Sequence, residues 1–235
     1  NKRFMDMKTF SLQDPKRRSY VASFMLHKFT ENENLLAKRF GLIPVSINGK
    51  YMGVYNYEEV PDHNMVEFFT NSKNIVVMID DDDMFQDERH ALAPAENYQH
   101  LKNVSDFYFN SKIKAHSFNE VLNDKILKKD FERASKIIND FRAGNLKASE
   151  VFDSDKVISW LAITDLFGAY HGSCFTNIKL VYDRNLDKLY PIVWDAFSEN
   201  IFSSTTFSRH KMFKLNWVFD FYNSYCFNIE KYFKT

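Results

Sequence analysis

The chain has 235 residues, 45% of them hydrophobic and 26% charged, a balance that excludes a disordered chain and fits one large domain or two small lobes. Its 31 basic residues match its 31 acidic ones, so no global field draws in nucleic acid or an anionic membrane, and nucleic acid is not an expected partner. No apolar run reaches the roughly 18 residues that span a bilayer, so no transmembrane segment is expected.

The opening NKRFMDMKTF has neither an initiator Met nor the apolar core of a signal peptide, as expected of a fragment or a processed form. Residues 4–13 predict a short strand with Phe4, Phe10 and Leu12 as core contacts. Asp14-Pro15 then marks a helix start, since Asp accepts from free amides and Pro suits the first turn. That helix runs on through Tyr20, Phe24, Leu26, His27 and Phe29, with Arg17 and Arg18 in its first half. From Ile43 to Glu59 the pattern is a hairpin. Val45 and Ile47 alternate with polar neighbours, Asn48-Gly49 supplies the left-handed pair of a tight turn, and Val54, Tyr55 and Tyr57 return.

Ile75–Ile79 predicts a short buried strand ending at Asp80-Asp81-Asp82-Asp83. Calcium-loop spacing fails there for want of a Gly at the sixth position and a Glu at the twelfth, which leaves an exposed acidic turn. Helical patterning covers residues 95–143, with Gly144 as its end. A further helix starts near Asp153-Ser154 and carries apolar residues on most faces up to Phe167, as a buried central helix would, before Gly168 closes it. Residues 213–233, rich in Phe, Tyr and Trp, predict a helix packed in the core or between lobes.

A loop from Ala169 to Asn177 follows the central helix. Strands at Ile178–Tyr182 and Leu189–Trp194, joined by a polar turn, lead to Asp195. A ladder centred near Leu186 sets Asn177 opposite Asp195 at the open end of this hairpin. An amide oxygen and a carboxylate converging there suit a magnesium ion that takes most of its ligands from phosphate. The same two residues also suit a capped turn and a solvated strand end, positions that Asn and Asp favour anyway. His63, His90, His100 and His116 lack the H-x-x-x-H spacing of a zinc enzyme. Ser173 and Cys174 lie too close to His171 in sequence for a nucleophile and base, which normally come from distant segments. Cys174 and Cys226 lack C-x-x-C spacing and fit two buried thiols better than a disulfide.

Three stretches, MKTFSLQDPKRRSY (Met7–Tyr20), INGKYMGVYNYEEV (Ile47–Val60) and Val151–Asp195, together resemble the CotH kinase family in that family's order, over roughly a third of the chain. The closest resemblance is to a branch with an F-G-x-Y-H-G loop, here Phe167 to Gly172. The resemblance implies an α+β, atypical protein-kinase-like fold of two lobes, a strand-rich small lobe over 1–60 and a helical lobe over 61–235. It implies ATP as cosubstrate, Mg2+ or Mn2+ as cofactor, and phosphorylation of a protein on Ser or Thr. Many relatives are exported or coat-associated.

Carried over by resemblance, Asp195 and Asn177 hold the metal. Glu58 and Glu59 lie near the hinge that cradles adenine. Lys8 contacts phosphate, with Ser11 competing for that position, and Arg18 supports the phosphate site or forms a surface salt bridge. Where many relatives have an Asp that orients the substrate hydroxyl, this chain has His171, which has two readings: a general base, or a structural histidine at a helix end. The six glycines form no G-x-G-x-x-G or Walker pattern. The alternatives to a kinase are a non-catalytic surface or coat protein, a pseudokinase, or a catalyst that transfers another group from ATP.

Overall fold

A computed structural model describes residues 3–80, 82, 109–169, 172 and 177–196. The fold is mixed α and β, with two antiparallel sheets and helices packed around them. The first sheet has the order β1-β3-β2, from β1 (Phe10–Gln13), β2 (Phe40–Ile47) and β3 (Lys50–Glu59). Asn48 and Gly49 take positive φ at the tip of the β2–β3 hairpin, the turn that the Asn-Gly pair predicts. Before β1, Phe4 and Met7 form an isolated bridge. Met7 is the buried residue here, whereas Phe10 and Leu12, expected as core contacts, lie on one face of β1 and stay largely exposed.

The predicted first helix is divided. Asp14 accepts from the Lys16 amide at 2.9 Å and starts a 3-10 turn, Pro15–Arg18. Ser19 and Tyr20 then adopt positive φ, and α1 (Val21–Asn32) begins only after them. Leu26 and His27 face inward, and Tyr20 and Phe29 outward.

The second sheet has the order β5-β4-β6-β7, from β4 (Ile75–Ile79), β5 (Ile113–Ala115), β6 (Lys179–Asp183) and β7 (Lys188–Ile192). β5 lies inside the stretch, 95–143, where helical patterning dominates the sequence. Three residues paired on β4 are stabilised by that tertiary ladder and leave too short a period to be seen in sequence. Between and around these strands are α2 (His63–Thr70), α3 (Phe118–Asn123), α4 (Lys125–Arg142), α5 (Ala148–Val151) and α6 (Ser154–Phe167).

The main core gathers Ile75, Val77, Leu180, Tyr182 and Leu189 of this sheet with one face of α4. That face carries Leu127, Ala134, Ile137, Ile138 and Phe141, and burial of each large side chain contributes about 1.5–3 kcal/mol. Gly144, at φ 76, ends the α4 region as expected. α6 buries Trp160 and Ile163 but leaves Ile158 and Leu166 exposed, so it lies against the sheet on one side rather than being enclosed. Expectations for residues 95–108, 213–233, Cys174 and Cys226 fall outside the described residues.

Ion pairs clamp α4 to the turn that joins β6 and β7. Asp130 takes Arg184 Nε at 3.1 Å, and Asp187 accepts from Arg133 Nε at 2.9 Å and from the Tyr182 hydroxyl at 2.7 Å. The hairpin that leads to Asp195 is therefore held at its far end by the longest helix among the described residues. At its near end, the Val193 amide donates to the Leu36 carbonyl at 3.2 Å, and Val193 forms a parallel bridge with Ala37. That bridge ties the second sheet to the strand entering the first.

Candidate active site

Where the two sheets are tied together, Lys38 is drawn into the protein. It follows the apolar run Leu35-Leu36-Ala37, and the bridge from Ala37 to Val193 sets it beside the next residue of that strand, Trp194. The Lys38 ammonium sits 4.2 Å from the centroid of the Trp194 ring and is only 1% exposed. A buried ammonium needs a counter-charge, and Glu58 of β3, equally buried, provides it through Oε2. Glu58 Oε1 takes Arg18 NH2 at 2.8 Å, and the other arm of the same guanidinium, NH1, donates to Asp195 Oδ1 at 2.8 Å. The Ser11 hydroxyl, on the residue opposite Glu58 in the β1–β3 ladder, donates to Glu58 Oε1 at 3.3 Å.

Four segments distant in sequence thus meet in one alternating cluster of two cations and two carboxylates. Burial lowers the Lys38 pKa and Glu58 opposes that shift. For Glu58 burial acts upward, but Lys38 and Arg18 outweigh it and hold the carboxyl below its usual range. His27 of α1 stacks on Phe40 with centroids 4.6 Å apart. Burial, reinforced by Lys38 and Arg18, keeps this imidazole neutral well below its ordinary pKa.

Asp195 adopts positive φ just beyond β7, and Gly172 is packed against the residues on either side of it. A Cβ added to Gly172 would meet the Trp194 carbonyl oxygen at 2.4 Å and the Ala196 Cα at 3.0 Å. Only glycine permits that approach, which brings the second glycine of the F-G-x-Y-H-G motif onto the Asp195 segment.

Of the residues expected at the site, the cluster contains Arg18, Glu58 and Asp195. Arg18 is 15% exposed and bridges two carboxylates, so it is not a surface salt bridge. Glu59 points to the opposite face of β3, as alternation requires, and pairs with Arg39, whose Nε lies 2.8 Å from Oε2. Lys8 is not brought in. It pairs with Glu120, and both side chains are largely exposed. Asn177 lies in the turn before β6, half-buried. The ladder pairs Lys179 with Ile192 and Asp183 with Lys188, one residue off the register that would set Asn177 opposite Asp195. The polar turn has a different length from the one assumed, and both residues lie beyond the ladder, so the hairpin does not pair them. His171 lies outside the described residues. Lys38 was missed, although its signal was present: a lysine embedded in LLAKRF at the entry to a strand must either snorkel or be buried with a partner.

Among the described residues, no three His, Cys, Asp or Glu side chains form a metal-binding group. Asp195 would offer a metal one carboxylate, a sparse donor set of the kind that suits magnesium or manganese held mainly by phosphate oxygens. Asp80 forms an ion pair of 2.7 Å with Lys114, which Asp82 also holds; Asp81 and Asp83 of the expected acidic turn fall outside the described residues.

A comparison with curated proteins found no match. A comparison with family models matched residues 1–207 to the family described as CotH kinase protein. That span takes in Arg18, Lys38, Glu58, Gly172 and Asp195 together with all three stretches that carry the resemblance, and the chain belongs to the CotH kinase family.

Proposed function

We propose that this protein transfers the terminal phosphoryl group of ATP, with magnesium or manganese, to a serine or threonine hydroxyl of a protein. The observation that carries this reading is the buried Lys38–Glu58 pair joined through Arg18 to Asp195. Phosphoryl transfer needs little covalent chemistry from a protein, mainly positioned cations and a carboxylate facing the metal, and protein kinases require both a Lys–Glu pair and a metal-holding Asp. A bound metal would bridge phosphate oxygens and neutralise their developing charge.

Lys38, not Lys8, is assigned the phosphate contact. Its ammonium is fixed by Glu58 and Trp194 in a water-poor site, where a charge-assisted hydrogen bond is worth more than in water. Glu58 orients that lysine, which leaves it no part in an adenine hinge. Asp195 holds the metal, Asn177 is its second ligand, and His171 accepts the proton of the substrate hydroxyl. The β1–β3 sheet through Val60 corresponds to the small lobe, and residues 61–235 to the larger one.

Calorimetry of ATP binding, with and without manganese, tests this on the wild type, Asp195→Ala and Lys38→Met. The expected result is metal-dependent binding that Asp195→Ala weakens about tenfold or more. Lys38→Met should lose a similar factor while remaining metal-dependent. A folded wild-type chain that binds no ATP would overturn the reading in favour of a non-catalytic surface or coat protein. The presence of His171 where many relatives have Asp favours a second reading, a pseudokinase. Metal-dependent ATP binding with no phosphate transfer to any Ser- or Thr-containing protein would select it.

A further inference from the structure

We infer that Arg18 bars free divalent cations from Asp195, so that metal enters this site only in company with the nucleotide's phosphates. The inference rests on the phosphoryl-transfer reading, in which Asp195 faces the metal. Its starting point is charge balance. Among the described residues, Lys38 and Arg18 offset Glu58 and Asp195, and both oxygens of Glu58 are occupied, one by each cation. The remaining carboxylate, Asp195, already accepts at Oδ1 from Arg18 NH1 at 2.8 Å. A divalent ion approaching that oxygen meets one negative charge and, one hydrogen bond further on, one positive charge of equal size.

Solvent weakens that repulsion little, because the Arg18 and Asp195 side chains are only 15% and 20% exposed. A site of this kind attracts a bare cation much less than an unpaired carboxylate would, because the Arg18 charge opposes the ion at short range. ATP changes the sign of the field, because its triphosphate brings about four negative charges. It also offers Arg18 a new planar partner, since a guanidinium can meet phosphate oxygens with two parallel hydrogen bonds. Arg18 can then exchange the carboxylate for phosphate as the metal takes Asp195.

The backbone beside Arg18 suits such an exchange. Ser19 has φ 53, and Tyr20 has φ 51 with ψ −117, so two non-glycine residues in succession occupy unfavourable conformations at the joint between the 3-10 turn and α1. Strain at that joint lowers the cost of moving the turn relative to the helix. Arg18 is a positioning residue in this account: it acts through Asp195, and its effect is to couple metal binding to nucleotide binding.

The test is the affinity of the full chain for Mn2+ alone, read by the paramagnetic resonance of free manganese, with circular dichroism to verify folding. Arg18→Met should bind Mn2+ about tenfold or more tightly than the wild type without nucleotide. Adding Asp195→Ala should abolish that gain. Arg18→Gln, which can still hydrogen-bond both carboxylates but carries no charge, should show the same gain, and Arg18→Lys should restore exclusion. A merely structural role for Arg18 would produce losses and never a gain.

Mn2+ affinity that is unchanged or weaker in both Arg18→Met and Arg18→Gln would overturn the inference. If the wild type still binds Mn2+ with a non-hydrolysable ATP analogue through Asp195, that failure leaves the phosphoryl-transfer reading standing. If neither the wild type nor the Arg18 variants bind the manganese–analogue complex, or if Asp195→Ala has no effect on it, the reading fails and takes the inference with it.

Discussion

Gly172 packs so tightly against the segment carrying Asp195 that a single added methyl group would strike a backbone carbonyl at 2.4 Å. Backbone cannot yield as a flexible side chain can, so Gly172→Ala should displace either residue 172 or the segment that carries Asp195. The expected cost is about 1–3 kcal/mol of stability, from overpacking in a rigid surround. Urea denaturation measures that cost, and ATP calorimetry on the same variant should show a further loss of affinity. A variant as stable as wild type with full ATP affinity would mean that Gly172 does not pack on the segment Trp194–Ala196 as described. At this scale the sequence was informative about residue type and silent about partners. Arg18, Glu58 and Asp195 could be singled out because they lie within stretches that resemble the family. Lys38 lies between those stretches; its apolar setting signals burial with some partner, but that partner is 20 residues away and no local pattern identifies it.

Secondary elements were legible wherever local chemistry dictated them. The Asn48-Gly49 hairpin follows from two residues that tolerate positive φ, and β4 from an apolar run of the right length. α2 shows how firmly a cap can fix a start. Asp62, buried, accepts from the Met65 amide at 2.9 Å and satisfies a donor that the helix itself leaves unpaired. Asp62→Ala should cost about 1–2 kcal/mol, read as a lower urea midpoint at unchanged slope. A midpoint equal to wild type would show that the cap is dispensable. Where expectation and structure part, tertiary pairing had overridden local preference. β5 exists because β4 has an open edge to pair with, and the helix expected from Asp14 onward breaks at Ser19-Tyr20 where Arg18 reaches two carboxylates. The hairpin register missed by one residue, because its turn length had been inferred from symmetry alone.

Across the whole molecule, the buried His27 and the half-buried His116 make stability depend on pH. Burial, helped by Lys179 and resisted by Asp62, lowers His116 to about 4. The unfolded chain takes up this proton near pH 6.5, and the folded chain only near pH 4. The contribution is therefore fully present above pH 6.5 and is lost as pH falls through that window, by on the order of 3 kcal/mol. His27, lowered by burial and by Lys38 and Arg18, acts in the same direction. Thermal melts at pH 7.5 and pH 5 should show a larger drop in Tm for the wild type than for His116→Gln, and equal drops would refute the assignment.

Some properties of this protein followed from the sequence by itself. Composition determined that a core could form, periodicity and turn residues determined most strands and helices, and three stretches in order determined the family. Those properties are local or additive along the chain. The charge cluster is neither: it exists only because the bridge between Ala37 and Val193 brings Lys38, Glu58, Arg18 and Asp195 from four segments into one buried volume. Coulombic partnership depends on distance in space, and the tertiary structure alone sets that distance.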